Sequence, residues 1–149
     1  MKGPVEIRPV RIDDLRKVFL LGREFFTRRH SPILQDWNET SLADCLAGNR
    51  GLGLVAVTKK SVAGFLIASL DEGDGVQTAT IRWLCADPSR PAGLMEGLLR
   101  EFKSLLAGRH IEKILIALPE GNSELIEYYR NFGFTESNRF IIMENFLPK

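Results

Sequence analysis

Small and apolar residues at Leu15, Val18, Phe19, Gly22, Phe25 and Phe26 recur at helical spacing and predict a first helix from Leu15 to about Thr27 with one core-facing stripe. Ahead of it, Val5 to Val10 reads as a short strand closed by Pro9 and a turn at Asp13-Asp14. The stretch "RRHSPILQDWNE" breaks the period and predicts a loop. Thr40 or Ser41 then caps a second helix running through Leu46, stopped by Gly48-Asn49. In "GLVAVTKKSVAGFLIASL" two β-branched runs flank Lys59-Lys60-Ser61, which is a hairpin signature. After "DEGDG", the run from Val76 to Ala86 predicts the central strand, and Gly93 to Leu106 a helix with a wide apolar face. "KILIAL" is too continuously apolar for a half-exposed strand, so burial on both faces and parallel pairing are expected. Ser123 to Phe132 predicts a fourth helix ended by Gly133, and "RFIIMENF" a last strand, with an extra short strand at Phe134.

The order is β-α-α-β-β-β-α-β-α-β, without repeats or a linker long enough to divide the chain. It predicts a mixed central sheet with helices on both faces, as one domain over residues 1–149. The βαβ unit from Ile81–Ala86 through Gly93–Leu106 to Lys113–Leu118 directs attention to the carboxyl ends of its strands, where such sheets bind ligands.

Composition narrows the function classes. At 149 residues the chain can bury a core without metal or disulfide staples. Twenty Lys and Arg against nineteen Asp and Glu leave a net charge of +1, which argues against nucleic acid as a partner. Cys45 and Cys85 belong to no CxxC pair, so two buried, reduced thiols in a cytoplasmic setting are expected. "MKGPVEIRPV" has no apolar leader core and no apolar run approaches membrane-spanning length, so neither export nor a membrane partner is expected. His30, His110, Cys45 and Cys85 lack metal-ligand spacing, and no zinc site is expected. Gly51-Leu52-Gly53 precedes a strand, so it is no dinucleotide fingerprint.

The segment "PSRPAGLMEGLL" carries the chemistry. It runs from the central strand directly into a helix, which points backbone N–H groups and the positive end of a helix dipole at whatever lies above, a setting suited to an anion. An ordinary strand-to-helix turn fits these residues equally well.

The whole chain resembles the GNAT superfamily of acyl-CoA-dependent N-acyltransferases. "VEIRPVRIDDL" is similar to the family's first strand and helix start, and "LCADP" to the strand end on the pyrophosphate side. Arg90-Pro91-Ala92-Gly93-Leu94-Met95 fits the Q/R-x-x-G-x-G/A loop except at its last position. "NSELIEYYRNFGF" is similar to N-x-x-A-x-x-F-Y-x-x-x-G-F, with Asn122, Tyr129, Gly133 and Phe134 in register. The resemblance implies transfer of an acetyl group from acetyl-CoA to a primary amine by direct attack in a ternary complex. It implies that Arg90, Ala92, Gly93, Leu94 and Met95 cradle the CoA pyrophosphate, and that Leu84, Cys85 and Ala86 present the strand backbone to the pantetheine arm. Asn122 would lie near the distal half of the cofactor, and Tyr129 by the sulfur as general acid.

Three departures accompany the resemblance. Met95 replaces a small residue, and its bulk would crowd the diphosphate unless the side chain turns into the core; Pro91 removes one N–H donor. The central strand carries no acid, which leaves Asp71, Glu72, Asp74 and Glu24 as available carboxylates, with Glu72 ranked first as base. His30 and Trp37 fall in the loop where relatives admit the acceptor, although an ordinary surface loop is the simpler account. A small-molecule amine is favoured over a protein tail, and homodimerisation is compatible with the sequence. The alternative is a GNAT-like CoA-binding or interaction module without turnover, and a nucleotide- or metabolite-binding α/β protein outside the family is the third reading.

Overall fold

The computed structural model describes residues 5–24, 37–47, 51–59, 61–73, 75–87 and 93–148. The chain forms two compact units, Met1–Ile116 and Ala117–Lys149.

The first unit is built on a five-stranded sheet in the order β1-β2-β3-β4-β5: β1 Glu6–Pro9, β2 Gly51–Val57, β3 Val62–Gly73, β4 Val76–Ala86 and β5 Lys113–Leu115. The first four strands pair antiparallel, and β5 joins β4 in parallel. The β2–β3 hairpin forms as expected, although Lys60 in its turn lies outside the described residues. Helices α1 (Leu15–Arg23) and α2 (Glu39–Leu46) cover one face, where Val18 and Leu42 pack with Val55, Phe65, Ile67, Trp83 and Cys85. Helix α3 (Leu94–Ala107) covers the other, with Leu94 over Gly64 and Ile7 against Gly97. Phe65 in the sheet and Phe102 on α3 are fully buried, each worth roughly 1.5–3 kcal/mol relative to exposure.

A charged knot fixes the start of α1. Arg8 of β1 donates two hydrogen bonds to the Asp14 carboxylate, at 2.7 and 3.0 Å, and the Arg11 N–H donates a third at 2.7 Å. A single 3₁₀ turn, Ile12–Asp14, lies inside this knot. The guanidinium of Arg8 holds the buried Asp14 carboxyl below its usual range against the opposing effect of burial.

Several elements differ from the sequence-based expectation. The described part of α1 ends at Arg23, with Phe25 to Thr27 outside the described residues. The cap of α2 is Asn38, whose side chain accepts the Ser41 N–H at 2.8 Å, in place of Thr40 or Ser41; Gly48-Asn49 lies outside the described residues. The strand in "KILIAL" is parallel as expected but not buried on both faces: it spans three residues at the sheet edge, and Leu115 is 40% exposed. Cys85 is buried, whereas Cys45 is only half-buried.

The second unit contains helix α4 (Ser123–Asn131) and a C-terminal segment with no strand in its described part. Asn122 caps α4 by accepting the Leu125 N–H at 3.1 Å. At the other end Gly133, with φ of 101°, lets its own N–H reach the Arg130 carbonyl while the Phe134 N–H reaches that of Tyr129, both at 3.1 Å. This is a Schellman closure, completed by Phe134 packing edge-on against Tyr129. The expected strand at Phe134 is therefore absent because its N–H is already committed to the helix end. "RFIIMENF" also forms no strand. Its apolar pattern would suit one, but the described residues of its own unit offer no strand to pair with, and Phe140 to Met143 stay exposed.

Candidate functional site

The structure opens the sheet where the sequence places the ligand. The parallel ladder between β4 and β5 stops at Thr80–Leu115, six residues before β4 ends. Beyond that point β4 continues to pair with β3, and the Asp87 N–H donates to the Ala63 carbonyl at 2.7 Å. Antiparallel pairing alternates the direction of backbone groups. Asp87, Cys85 and Trp83 therefore turn theirs toward β3, and Leu84 and Ala86 turn theirs the other way. Among the described residues nothing pairs with Leu84 or Ala86 on that side.

A bulge accompanies the opening. Ile67 faces Trp83 and Ala68 faces Ile81, so Arg82 is an extra residue in β4. Its side chain lies on the α1/α2 face, where its Nε donates to the Ser69 hydroxyl at 2.9 Å. The Asp71 carboxylate accepts the Thr80 hydroxyl at 3.3 Å on the same face.

Helix α3 starts close to the end of β4. Gly93 is its N-terminal flanking residue, with φ of 100° and no side chain to cap the first turn, and among the described residues no side chain is seen on the leading N–H groups at Leu94, Met95 and Glu96. Met95 is half-buried and lies one turn before the buried Leu99, on the stripe that continues through Phe102 and Leu106. A first-turn side chain leans toward the helix N-terminus, so the expectation of crowding stands as it was. Arg90, Pro91 and Ala92 lie outside the described residues.

Cys85 belongs to the core, not the open edge. Burial pushes its thiol up to about 12, with Asp87 and Glu24 adding to the effect, so it is no thiolate at neutral pH. Only its backbone neighbours can serve a ligand. Burial also raises the Cys45 thiol, against a smaller opposing influence of Arg82.

The remaining sequence candidates divide. Trp37 is half-buried and packed: its ring stacks on Phe65 at 5.4 Å, meets Trp83 edge-on at 5.1 Å and donates Nε1–H to the Phe19 carbonyl at 2.8 Å. The polar composition of the loop hid this, because one aromatic in a polar stretch carries no period. His30 and Asp74 lie outside the described residues. Glu24 follows α1 and is exposed. The backbone of Glu72, in β3, pairs with Gln77 of β4, and its side chain lies outside the described residues. Within the second unit, Asn122 serves as the cap of α4. Tyr129 is buried against Tyr128 and Phe134, and burial raises its phenol above the usual range.

No protein-family model matches the chain, and no curated protein does. Solved structures match over nearly the full length. An aminoglycoside acetyltransferase from an uncultured soil metagenomic sample, in complex with sisomicin, shares 17% identity over 97% of this chain and 97% of its own, with a TM-score of 0.73. The structure of AAC(6')-Iy in complex with a bisubstrate CoA analogue shares 16% identity over 97% of this chain and 100% of that one, with a TM-score of 0.75. A Trypanosoma brucei acetyltransferase shares 18% identity over 95% of this chain and 100% of its own, again at 0.75. The chain has the fold of the GNAT acetyltransferases.

Proposed function

We propose that the chain is an acetyl-CoA-dependent N-acetyltransferase acting on a primary amine. The observation that carries this reading is the open edge of β4, where Leu84 and Ala86 present unpaired backbone groups beside the uncapped start of α3. That arrangement fits a long ligand with an amide-bearing arm and an anionic head. The arm would bond along Leu84 to Ala86 as a strand does, and the head would take the N–H groups of Gly93 to Met95 with the flanking Arg90 and Ala92. Bound there, acetyl-CoA supplies an activated acyl thioester.

The chain's own groups favour direct transfer to the amine over a relay through cysteine. Cys85 is too weakly acidic to act as nucleophile, and burial moves Cys45 in the same direction. Tyr129 is assigned to the departing sulfur. A thiol titrates near 8.5 and an ordinary phenol near 10, and burial raises Tyr129 further. Full proton transfer from Tyr129 to a thiolate is thus uphill by at least about 2 kcal/mol. Tyr129 acts as a hydrogen-bond donor to developing negative charge and stays protonated throughout. Glu72 remains the proposed acceptor for the amine proton.

Thermal unfolding with millimolar acetyl-CoA, beside ATP and NAD, tests the reading. Ligand at 100 times its Kd adds about 2.7 kcal/mol, which raises the Tm of a domain of this size by roughly 5–10 °C. A rise selective for acetyl-CoA is expected. Equal response to all three, or to none, overturns it.

A further inference from the structure

Asp71 and Arg82 stand on the α1/α2 face of the sheet beside the bulge, and each keeps one unused end. Asp71 Oδ2 accepts the hydroxyls of Thr80 at 3.3 Å and Ser69 at 3.4 Å, with Arg82 Nη2 at 4.0 Å. Arg82 commits Nε to Ser69 at 2.9 Å. Among the described residues Asp71 Oδ1 accepts no hydrogen bond and Arg82 Nη1 donates none. The two side chains are about half exposed, 51% and 46%. Water screens a pair at that distance and exposure, so their direct attraction is weak. What fixes them is the pair of hydroxyls, which orients both groups before any ligand arrives.

We propose that Asp71 and Arg82 form a two-point subsite for the acceptor, which is a small zwitterionic amine of the amino-acid type. The proposal rests on the transferase reading and names its substrate class. The ammonium group binds Asp71 Oδ1 and the carboxylate binds Arg82 Nη1. A β-amino acid separates its charges by about 4–5 Å, from three or four bonds of roughly 1.5 Å, which is close to the spacing of the protein's own pair. Thr80 and Arg82 lie two residues apart on β4 and share the α1/α2 face by ordinary alternation, and the bulge then brings Trp83 to that face as well. Arg82 lies on β4 two residues, about 7 Å, before Leu84 at the open edge, and Asp71 lies on β3 at the level of Thr78. The subsite also answers the missing acid on β4, because the neighbouring strand delivers a carboxylate to the same face through the Ser69–Thr80 and Asp71–Thr78 register. Arg82 disfavours a second ammonium beside the first, so polyamines and aminoglycosides should bind worse than a zwitterion of one amine.

The test is an amide-resolved NMR titration of the full chain with β-alanine, ethylamine and propionate, followed by acetyl-CoA in the same sample. Shifts at Asp71, Thr80 and Arg82 with β-alanine at millimolar concentration are expected, with at least tenfold weaker binding of ethylamine and of propionate. Asp71→Asn keeps an oxygen for both hydroxyls and removes only the charge, and it should weaken β-alanine at least tenfold, as should Arg82→Gln. No shift with β-alanine, or the same affinity in both variants, overturns the subsite. The acetyl-CoA step reads the other proposal separately, at Leu84 and Ala86. Charge-dependent β-alanine binding without acetyl-CoA binding would support the subsite and remove the transferase reading.

Discussion

Replacing Gly22 by alanine should destabilise the protein, by about 1–3 kcal/mol, although alanine is the better helix former. A Cβ at Gly22 would lie 2.3 Å from Trp37 Cζ2, 2.4 Å from Cε2 and 2.8 Å from Nε1. Ordinary carbon contacts sit at about 3.5–4.0 Å, so ring and helix must separate by roughly 1.2 Å. The ring cannot swing aside freely, since it stacks on Phe65, meets Trp83 edge-on and donates to the Phe19 carbonyl. Overpacking of this kind costs about 1–3 kcal/mol, and loss of the indole hydrogen bond adds about 1 kcal/mol. Helix propensity returns about 1 kcal/mol, which leaves a net loss of about 1–3 kcal/mol and lowers the Tm by roughly 3–10 °C. Urea unfolding followed by tryptophan fluorescence measures it directly. Trp37→Phe removes the offending ring, so the double variant should lose less than the sum of the two singles, a coupling of about 1 kcal/mol or more. A Gly22→Ala protein as stable as the parent, or strictly additive losses, would refute the account of how α1 seats the tryptophan.

Two further outcomes follow from single side chains. Asp14→Asn should cost about 1.5–3 kcal/mol by removing the charge from the part-buried hydrogen bonds to Arg8. Because the Asp14 carboxyl titrates below its unfolded value of about 3.9, its contribution is complete above that pH and disappears as pH falls through the lower folded value; the variant's deficit should therefore shrink in acid, and a pH-independent deficit would rule the explanation out. Tyr129→Phe retains the ring packing against Tyr128 and Phe134, so it should leave acetyl-CoA affinity within about twofold and lower kcat about 10²-fold; an unchanged kcat would remove the hydroxyl from the chemistry.

The sheet and its helices were legible because their signals are local. The hairpin, the bounds of β4 and the start of α3 follow from runs and breaks that neighbouring residues write together. Burial of Trp37 was not legible, since its partners Phe19, Phe65 and Trp83 lie far along the chain and only packing brings them together. The Asp71–Arg82 pair was hidden for a related reason. Asp71 was visible as a carboxylate, but the register that sets it opposite Thr78 and brings Arg82 beside Ser69 exists only between strands. The C-terminal run shows the converse: an apolar pattern suited to a strand yields none where its unit provides no strand to pair with.

The segment most diagnostic of the family turns out to be mostly architecture, which bears on how much function it can testify to. Asn122 closes the front of α4, Gly133 closes its back, and Phe134 seals the closure against Tyr129. Three of the four matching residues are thus required by any helix ended in this way, whether or not the protein turns over a substrate. The phenol of Tyr129 is the remainder, because a phenylalanine ring would complete the same closure. The open β4 edge likewise exceeds what packing requires, since leaving Leu84 and Ala86 unpaired forfeits ladder hydrogen bonds that a longer β5 would supply. The functional reading therefore rests on the open edge, and the motif match adds only the role proposed for the Tyr129 hydroxyl.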